Sequence, residues 1–339
     1  MTAPTTYGKT LPQTNNKPKP VGVGKQAKAV SAQFPSHFKR ALRALKWWLG
    51  LLLTATVCIP VLILPRRLAL GLGASGGRLV FRLSGKLRRQ TIGRIRTALP
   101  VLRTIDGWDP AAGTAEEIAG RTFANLGRTI VEVIKLYFGQ GRGLAARMEI
   151  RGLEHYHRAK ERGKGVIFIT GHFDNWELLA HAFGIQSDGL SVVARHQKFT
   201  PLSRLLERLR NRHGNDVIYA DGAARQIFFR LRKNGTIGLL MDQSVQPRDG
   251  ELVEFLGRKG WTTTMAAQIA ARTGAALVPG FCRREGGGHV AEVFPEINPD
   301  PSGDPIVTTR LLNQAIERYI ACHPDQWLWV YDRWKRVPL

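Results

Sequence analysis

The sequence predicts an α/β protein in which helices flank a central sheet, with a membrane helix near the N-terminus. From about residue 150 onwards, short β-branched runs alternate with segments of helical periodicity. Strands that alternate with helices favour a sheet covered by helices. Ahead of this region lie an uncharged, mostly apolar run at residues 47–64 and a concentration of positive charge. These observations divide the chain into four predicted parts.

Residues 1–43 are predicted to form a basic disordered tail. They are rich in Lys, Pro, Gly, Thr and Gln, and they lack hydrophobic periodicity. Residues 1–105 contain nineteen Lys and Arg and no Asp or Glu, so most of the chain's net charge of +24 lies there. A one-sided positive charge attracts phospholipid headgroups, nucleic acids or acidic proteins, and charge alone does not choose among these partners.

Residues 44–65 are predicted to form a transmembrane or membrane-embedded helix. A helix over residues 47–64 would be about 27 Å long, close to the roughly 30 Å of a bilayer's hydrocarbon core. Trp47 and Trp48 lie where interfacial aromatic side chains are expected, and Pro60 would kink or end the helix. The alternatives are a buried core helix and an uncleaved signal-like segment. Basic residues flank both ends, so the positive-inside rule does not fix the orientation.

Residues 66–148 are predicted to be a basic helical region close to the membrane. The basic side chains Arg78, Arg82, Lys86, Arg88, Arg89, Arg94 and Arg96 are interleaved with the apolar side chains Leu79, Phe81, Leu83, Leu87, Ile92 and Ile95. This pattern is typical of helices on an anionic bilayer surface. The alternative is the solvated face of an ordinary helical domain. Between Phe123 and Tyr137, apolar residues at helical spacing predict a helix that faces a core.

Residues 149–339 are predicted to be the α/β core. Its strands are predicted at residues 165–170, 190–194, 216–219, 236–241, 276–281 and 289–294. Its helices are predicted at residues 176–183, 201–212, 223–232, 262–273 and 308–321. The first of these strands is a short β-branched run, which indicates a buried position in the sheet.

The candidate catalytic residues, His172 and Glu177, come directly after the first strand of the core. Functional groups in α/β sheets collect at the carboxyl ends of strands. An imidazole, with an ordinary pKa of about 6.5, can accept a proton from an attacking hydroxyl, and a carboxylate on its other nitrogen would fix the tautomer. Five residues of regular helix turn through about 500°, so the two side chains meet only if His172 lies in the turn before the helix. The alternative is a structural histidine.

No metal or cofactor is predicted. His181 is the nearest other histidine, and no group of His, Cys, Asp and Glu has the spacing of metal ligands. Cys58, Cys282 and Cys322 are far apart and odd in number, which does not fit a disulfide framework. They are expected to be inert thiols in a reducing compartment.

The segment GHFDNWE at residues 171–177 resembles the HxxxxE form of the HxxxxD/E motif of glycerolipid acyltransferases. It is most similar to the bacterial lipid A late acyltransferases (lauroyl and myristoyl transferases) and their relatives that acylate other glycolipids. Further segments resemble this family in the same order: residues 193–195, 209–214, 240–243, 255–258, 262–264, 273–275 and 324–335. Ala194 and His196 depart from it, since many relatives have an aromatic residue and a proline there.

The resemblance implies a fold and a set of roles. The fold would be a central mixed sheet flanked by helices, as in glycerolipid acyltransferases. His172 would be the general base and Glu177 its partner. The residues implied in substrate binding are Arg195, Arg210, Asp242 and Gln243. A planar guanidinium such as that of Arg210 suits a phosphate. The alternative for Arg210 is a surface charge on a helix, and the alternative for Asp242 is an ordinary helix or turn cap.

The resemblance also implies the substrates. An acyl-acyl carrier protein would donate the acyl group directly to a hydroxyl of a lipid A precursor, with no nucleic acid as a partner. The protein would lie in the bacterial inner membrane, with its catalytic domain in the cytoplasm. Another glycolipid or phospholipid acceptor, such as a phosphatidylinositol mannoside, is the first alternative. The second alternative concerns the function as a whole: a non-enzymatic protein that binds anionic surfaces.

Overall fold

The computed structural model describes residues 58–194, 214–219 and 222–337, together with Thr56, Glu207, Arg210 and Asn211. The predicted tail, residues 44–55 of the predicted membrane helix, Arg195 and most of the predicted helix at 201–212 lie outside these described residues. Within them, residues 58–63 are helical. No helix of the described chain combines the length and apolar character that a membrane crossing needs.

The helical region ahead of the sheet begins with two helices that Ser84 separates. The helices are α1 (Arg66–Leu83), α2 (Gly85–Leu102), α3 (Ala115–Tyr137) and α4 (Arg142–Ala146). α1 and α3 pack closely, because a Cβ atom added at Gly73 would lie 2.5 Å from the carbonyl oxygen of Gly127. Their backbones therefore touch at a point where only glycine fits. α3 contains the predicted helix between Phe123 and Tyr137 and confirms it.

The central sheet has seven strands in the order β1–β9–β8–β2–β5–β3–β4. The strands of the structure are β1 (Glu149–Arg151), β2 (Val166–Thr170), β3 (Ser191–Ala194), β4 (Asp216–Tyr219), β5 (Thr236–Leu240), β6 (Glu251–Phe255), β7 (Arg258–Thr262), β8 (Ala276–Glu285) and β9 (Gly288–Val293). Neighbours in the large sheet are parallel except for the antiparallel pair β8 and β9. The predicted mixed sheet is thereby confirmed. β6 and β7 form a separate antiparallel hairpin.

Helices cover both faces of this sheet. The helices of the core are α5 (Leu153–Glu161), α6 (Trp176–Gln186), α7 (Ala223–Arg232), α8 (Met265–Thr273) and α9 (Pro305–Cys322). Successive residues of β2 enter different clusters: Ile167 and Ile169 pack with α2, α3, α7, α8 and α9, whereas Val166 and Phe168 pack with α5 and α6. Side chains of a strand alternate between the faces of its sheet, so the two clusters lie on opposite faces.

Three strands were not predicted from the sequence. β1 has only three residues, and two of them are charged and exposed. The hairpin of β6 and β7 turns through Leu256 and Gly257, both with positive φ, and lacks the Asn-Gly or Asp-Gly pair that signals such a turn. Short length and an unusual turn residue therefore hid these strands, while the six strands with β-branched runs were found.

Candidate active site

The loop between β2 and α6 holds the two residues of the predicted motif. α6 begins at Trp176, and the side-chain oxygen of Asn175 caps it by accepting the N–H of Leu178 at 3.1 Å. His172 therefore lies in the strand-to-helix turn, and Glu177 lies in the first turn of the helix. This is the placement that the motif's spacing required.

The carboxylate bonded to the His172 ring is Asp242. The Nδ1 atom of His172 lies 2.8 Å from Oδ1 of Asp242, and the backbone N–H of His172 donates to Oδ2 of Asp242 at 2.8 Å. The indole Nε1–H of Trp327 donates to the same Oδ2 at 2.8 Å. Asp242 follows β5, and β5 pairs with β2 in parallel, so the carboxyl ends of the two strands bring the side chains together.

The surroundings of Asp242 keep it ionised. Burial by itself would raise its pKa, but the charge of His172 and the hydrogen bonds from His172 and Trp327 hold the pKa below its ordinary value. An ionised carboxylate only accepts hydrogen bonds, so the proton between the two residues belongs to Nδ1 of His172. When the imidazole is neutral, its Nε2 atom therefore has a lone pair that can accept a proton. The side-chain nitrogen of Gln243 lies 3.2 Å from this atom.

The predicted hydrogen-bonded pair of His172 and Glu177 is not formed. Glu177 instead makes a two-point ion pair with Arg210, in which the Arg210 Nε–H donates to Oε2 at 3.0 Å and Nη2 donates to Oε1. The side chains of Arg210 and Glu177 are 19% and 13% exposed. The pair is not formed because the two side chains point in different directions. The loop directs the imidazole of His172 towards the end of β5, whereas Glu177 projects from α6 towards Arg210. The catalytic role of Glu177 stays a prediction.

A cavity of about 400 Å³ brings together four of the predicted site residues. His172, Glu177, Arg210 and Gln243 line it. Asp242 is 2% exposed and lies behind the imidazole, not in the lining. In this structure Asp242 contacts His172 and Trp327, and its predicted contact with a substrate stays a prediction. Arg195 lies outside the described residues, so its role in substrate binding stays a prediction.

The rest of the cavity lining is mostly apolar and follows one face of the sheet. The lining includes alternate residues of three neighbouring strands: Phe168 and Thr170 of β2, Gly238 and Leu240 of β5, and Val192 and Ala194 of β3. Leu179, Ala180 and Phe183 of α6 also line it. Since side chains two apart on a strand share a face, the cavity runs from the carboxyl ends of the strands back along the sheet, beneath α6.

A buried ion cluster lies under the same loop. Asp174, which has a φ of +40°, pairs with Nδ1 of His289 and accepts Nη2 of Arg284 at 3.1 Å. Glu132 of α3 accepts Nη2 of Arg284 at 2.7 Å and lies 2.9 Å from Nε2 of His289. Asn175 donates to Glu132 at 3.3 Å. The cluster therefore ties the loop that carries His172 to α3 and to β8 and β9, and it holds Asp174 in a strained conformation.

Protonated His289 should stabilise the fold below its raised pKa. Burial lowers the pKa of His289, but the hydrogen bonds and charges of Asp174 and Glu132 outweigh this effect and raise the pKa above its ordinary value. A group with a raised pKa stabilises the folded protein fully below its unfolded pKa, about 6.5 for histidine, and loses that contribution as the pH rises through the folded pKa. We expect the free energy of unfolding to fall as the pH is raised through this window.

Urea unfolding at a series of pH values measures this effect. His289→Gln should unfold more easily at about pH 6, by about 3 kcal/mol, because it breaks a buried ion pair. It should also lose the pH dependence. His157, an exposed histidine on α5, provides the matched control His157→Gln, which should behave as the unmodified protein. A pH dependence that persists in His289→Gln contradicts the assignment.

Sequence reasoning missed the partners of the motif. The sequence assigned Trp327 no part in the site, yet its indole donates to Asp242. Glu132, Arg284 and His289 carry no motif of their own. One residue of the motif could have indicated them. Asp174 is an acidic residue next to a buried strand, and a buried carboxylate requires a positively charged partner.

The chain resembles known acyltransferases along most of its length. The sequence model described as bacterial lipid A biosynthesis acyltransferase matches residues 35–336. The lipid A biosynthesis lauroyltransferase of Escherichia coli (strain K12) is 26% identical over 89% of this chain and 96% of its own length. The phosphatidylinositol mannoside acyltransferase of Mycobacterium tuberculosis (strain CDC 1551 / Oshkosh) is 29% identical over 66% of this chain and 72% of its own. The lipid A biosynthesis palmitoleoyltransferase of Escherichia coli (strain K12) is 23% identical over 68% and 75%.

Proposed function

Because the chain belongs to the bacterial lipid A biosynthesis acyltransferase family and is an acyltransferase, we propose that it transfers a fatty acyl group from an acyl-acyl carrier protein to a hydroxyl of a lipid A precursor. One observation carries the proposal. The Nε2 atom of His172 is free of the Asp242 carboxylate, and His172 lines a cavity whose inner part, along the sheet, is mostly apolar. A proton acceptor beside an apolar cavity suits the joining of an acyl carbonyl to a hydroxyl.

The proposed reaction begins with the proton. Nε2 of His172 takes it from the acceptor hydroxyl, and the oxygen forms a bond to the thioester carbonyl carbon. The carbon–sulfur bond then breaks, and the leaving thiolate takes the proton back from the imidazolium. Asp242 stabilises that imidazolium through Nδ1. The lipid ester and the free thiol of the carrier are the products, so no atom remains on the enzyme.

The charge that develops on the carbonyl oxygen needs hydrogen-bond donors. The side-chain amide of Gln243 is a candidate, because its nitrogen lies 3.2 Å from Nε2 of His172. Arg210 is held by Glu177 at the same cavity, so it supplies a cation close to the substrates. In this proposal Glu177 contributes to catalysis by holding Arg210, and it does not act as the partner of His172.

The apolar part of the cavity is the proposed seat of the acyl chain. It lies against the sheet at Gly238, where a Cβ atom would come within 2.7 Å of Leu190. The absence of a side chain at that position lets Leu190, which also lines the cavity, pack against β5. An acyl chain laid along the sheet would place its carbonyl at the carboxyl ends of β2 and β5, where His172 and Gln243 lie.

A phosphatidylinositol mannoside is the second candidate acceptor, favoured by the 29% identity with the mycobacterial enzyme. Mass spectrometry of lipids from cells with and without the gene separates the two. Loss of one secondary acyl chain from lipid A supports the first acceptor, and loss of an acyl group from phosphatidylinositol mannosides supports the second. The purified protein can also be supplied with an acyl-acyl carrier protein and each lipid in turn. If it acylates neither lipid, the proposed donor and both proposed acceptors are rejected together.

Attachment to the bacterial inner membrane, with the active site on the cytoplasmic side, is part of the proposal. Residues 44–65 would enter the bilayer, and α1 would lie on its surface. The support comes from one face of α1, on which Leu68, Leu72, Leu79 and Leu83 are exposed. Positions separated by four, seven and four residues fall on one side of a helix, so these side chains form a continuous stripe.

Removal of this leucine stripe should weaken membrane binding. Residues 54–339 form one compact unit, so a chain lacking residues 1–55 is expected to bind vesicles of phosphatidylglycerol through α1. Leu68→Asp with Leu83→Asp should lower this binding at least about tenfold, because two apolar side chains that would enter the bilayer become charged. Ile306 and Val307, which are exposed on α9, provide the control pair Ile306→Asp and Val307→Asp. Vesicle flotation measures both, and equal binding by the two pairs would argue against the surface role of α1.

A further inference from the structure

A second cavity, an open groove of about 560 Å³, lies where α1 and α3 pack together. Four arginines line it: Arg78 and Arg82 from α1, and Arg121 and Arg128 from α3. Side chains four or seven apart project from the same side of a helix, and the close contact of α1 and α3 turns both sets to one groove. None of these arginines belongs to the catalytic cavity.

Carboxylates within reach balance only one of these arginines. Asp325 pairs with Arg121 at 3.5 Å, and Glu117 is occupied by its capping bonds to Thr114. No carboxylate among residues 58–194 and the other described parts of the chain forms an ion pair with Arg78, Arg82 or Arg128. The groove therefore holds three arginines that form no ion pair within the described parts of the chain, and the nearest compensation for Arg128 is the charge of Asp174 and Asp325.

Arg128 is the most enclosed of the three. Its Nη1 donates to the side-chain oxygen of Asn125 at 2.6 Å, which holds the guanidinium against the groove. Burial and the positive charges of Arg284 and Arg78 lower its pKa by more than the negative charges of Asp174 and Asp325 raise it, so repulsion between cations remains in a partly desolvated place. A bound anion would relieve that repulsion, and a phosphate matches the planar fork of a guanidinium.

A small space of about 20 Å³ lies between the groove and the active site. Asn125 and Asp325 line both the groove and this space, while His172 and Trp176 line both this space and the catalytic cavity. The groove and the catalytic cavity therefore lie on either side of this space, and a lipid headgroup that spans it would have its anionic group in the groove and another part near His172. The leucine stripe of α1 runs beside Arg78 and Arg82, so the same molecule could keep its apolar chains at the bilayer.

We propose that the groove lined by Arg78, Arg82 and Arg128 binds a phosphate group of the acceptor lipid, and so places its hydroxyl at His172. This inference rests on the proposed acyl transfer to a lipid. The exposed leucines favour a lipid over the carrier protein as the source of the phosphate. The one acyl chain of the carrier is assigned to the catalytic cavity, so the carrier has no further apolar chain to place beside these leucines.

The first experiment measures binding without catalysis. The full-length protein in detergent is titrated with dihexanoyl phosphatidic acid by calorimetry, and dihexanoylglycerol serves as the probe that lacks a phosphate. Arg78→Ala with Arg82→Ala should raise the Kd for phosphatidic acid at least about tenfold and leave the weak binding of dihexanoylglycerol unchanged. Arg225→Ala with Arg232→Ala, which removes two exposed arginines from α7, should have no effect. An unchanged Kd in the groove variant would overturn the inference.

The second experiment separates the lipid from the carrier protein. With an acyl-acyl carrier protein as donor, the groove variant should raise the KM for a lipid A precursor at least about tenfold, and leave the KM for the donor unchanged. When a phosphatase has removed the phosphates of the precursor, the groove variant and the unmodified protein should have the same KM for it. A rise in the donor's KM alone would assign the groove to the carrier and overturn the proposal. Binding is measured independently of catalysis. If the unmodified protein transfers no acyl group but the groove variant still loses phosphatidic acid binding, the proposed function is rejected and the phosphate site is kept.

Discussion

Replacement of His172 by alanine is expected to lower kcat for acyl transfer by about 10²- to 10⁴-fold. The imidazole is the group of the cavity that can take the proton from the acceptor hydroxyl, since Asp242 is ionised but turned towards Nδ1. The side chain is 17% exposed and borders the cavity, so its removal should leave both hydrophobic clusters in place. The loss should therefore fall on the chemical step and not on folding.

Purified protein, an acyl-acyl carrier protein and a lipid acceptor are sufficient to measure this effect. His157→Ala, at an exposed position of α5, is the control for loss of an imidazole elsewhere on the chain. Circular dichroism and the thermal midpoint should be the same for His172→Ala and the unmodified protein. If a well-folded His172→Ala protein transfers acyl groups at nearly the original rate, the general-base role is wrong.

Replacement of Asp242 by asparagine should cost nearly as much, about 10²- to 10⁴-fold in kcat. An asparagine amide can donate to Nδ1 of His172, which moves the ring proton to Nε2 and removes the lone pair that should receive the acceptor's proton. The asparagine keeps the size of the buried side chain. The bond that Trp327 donates to Asp242 can also be kept, so the fold should survive.

Glu177→Gln is the matched comparison for Asp242→Asn, because it neutralises the other carboxylate of the site. It should weaken the ion pair with Arg210 and lower activity while leaving the imidazole hydrogen bonds as they are. Proton NMR of the hydrogen-bonded Nδ1–H of His172 distinguishes the two variants. The signal should change in Asp242→Asn and persist in Glu177→Gln. The reverse pattern would restore the pairing of His172 with Glu177 that the motif's spacing first indicated.

The buried ion cluster explains why the motif loop can hold the imidazole in place. Asp174 lies two residues after His172, and the cluster binds it from α3, β8 and β9 at once. A loop held at a strained residue by buried charges has little freedom to move. The acidic residue inside the motif therefore has a structural task distinct from those of His172 and Glu177.

The sequence by itself determined the α/β class, the six principal strands and the position of His172 at the end of β2. These features follow from local patterns, because β-branched runs specify strands and helical periodicity specifies the covering helices. The motif's spacing likewise placed His172 in the turn and Glu177 on the following helix. The strong positive charge of residues 1–105 was also evident directly.

Only the tertiary structure decided which groups meet. The order of strands sets β5 beside β2, and this brings Asp242 to His172 across seventy positions of sequence. No local pattern reveals that order, since it results from the packing of both sheet faces against distant helices. The Arg groove has the same origin: Gly73 and Gly127 let α1 and α3 touch, and cations far apart in the chain then converge where a phosphate could bind.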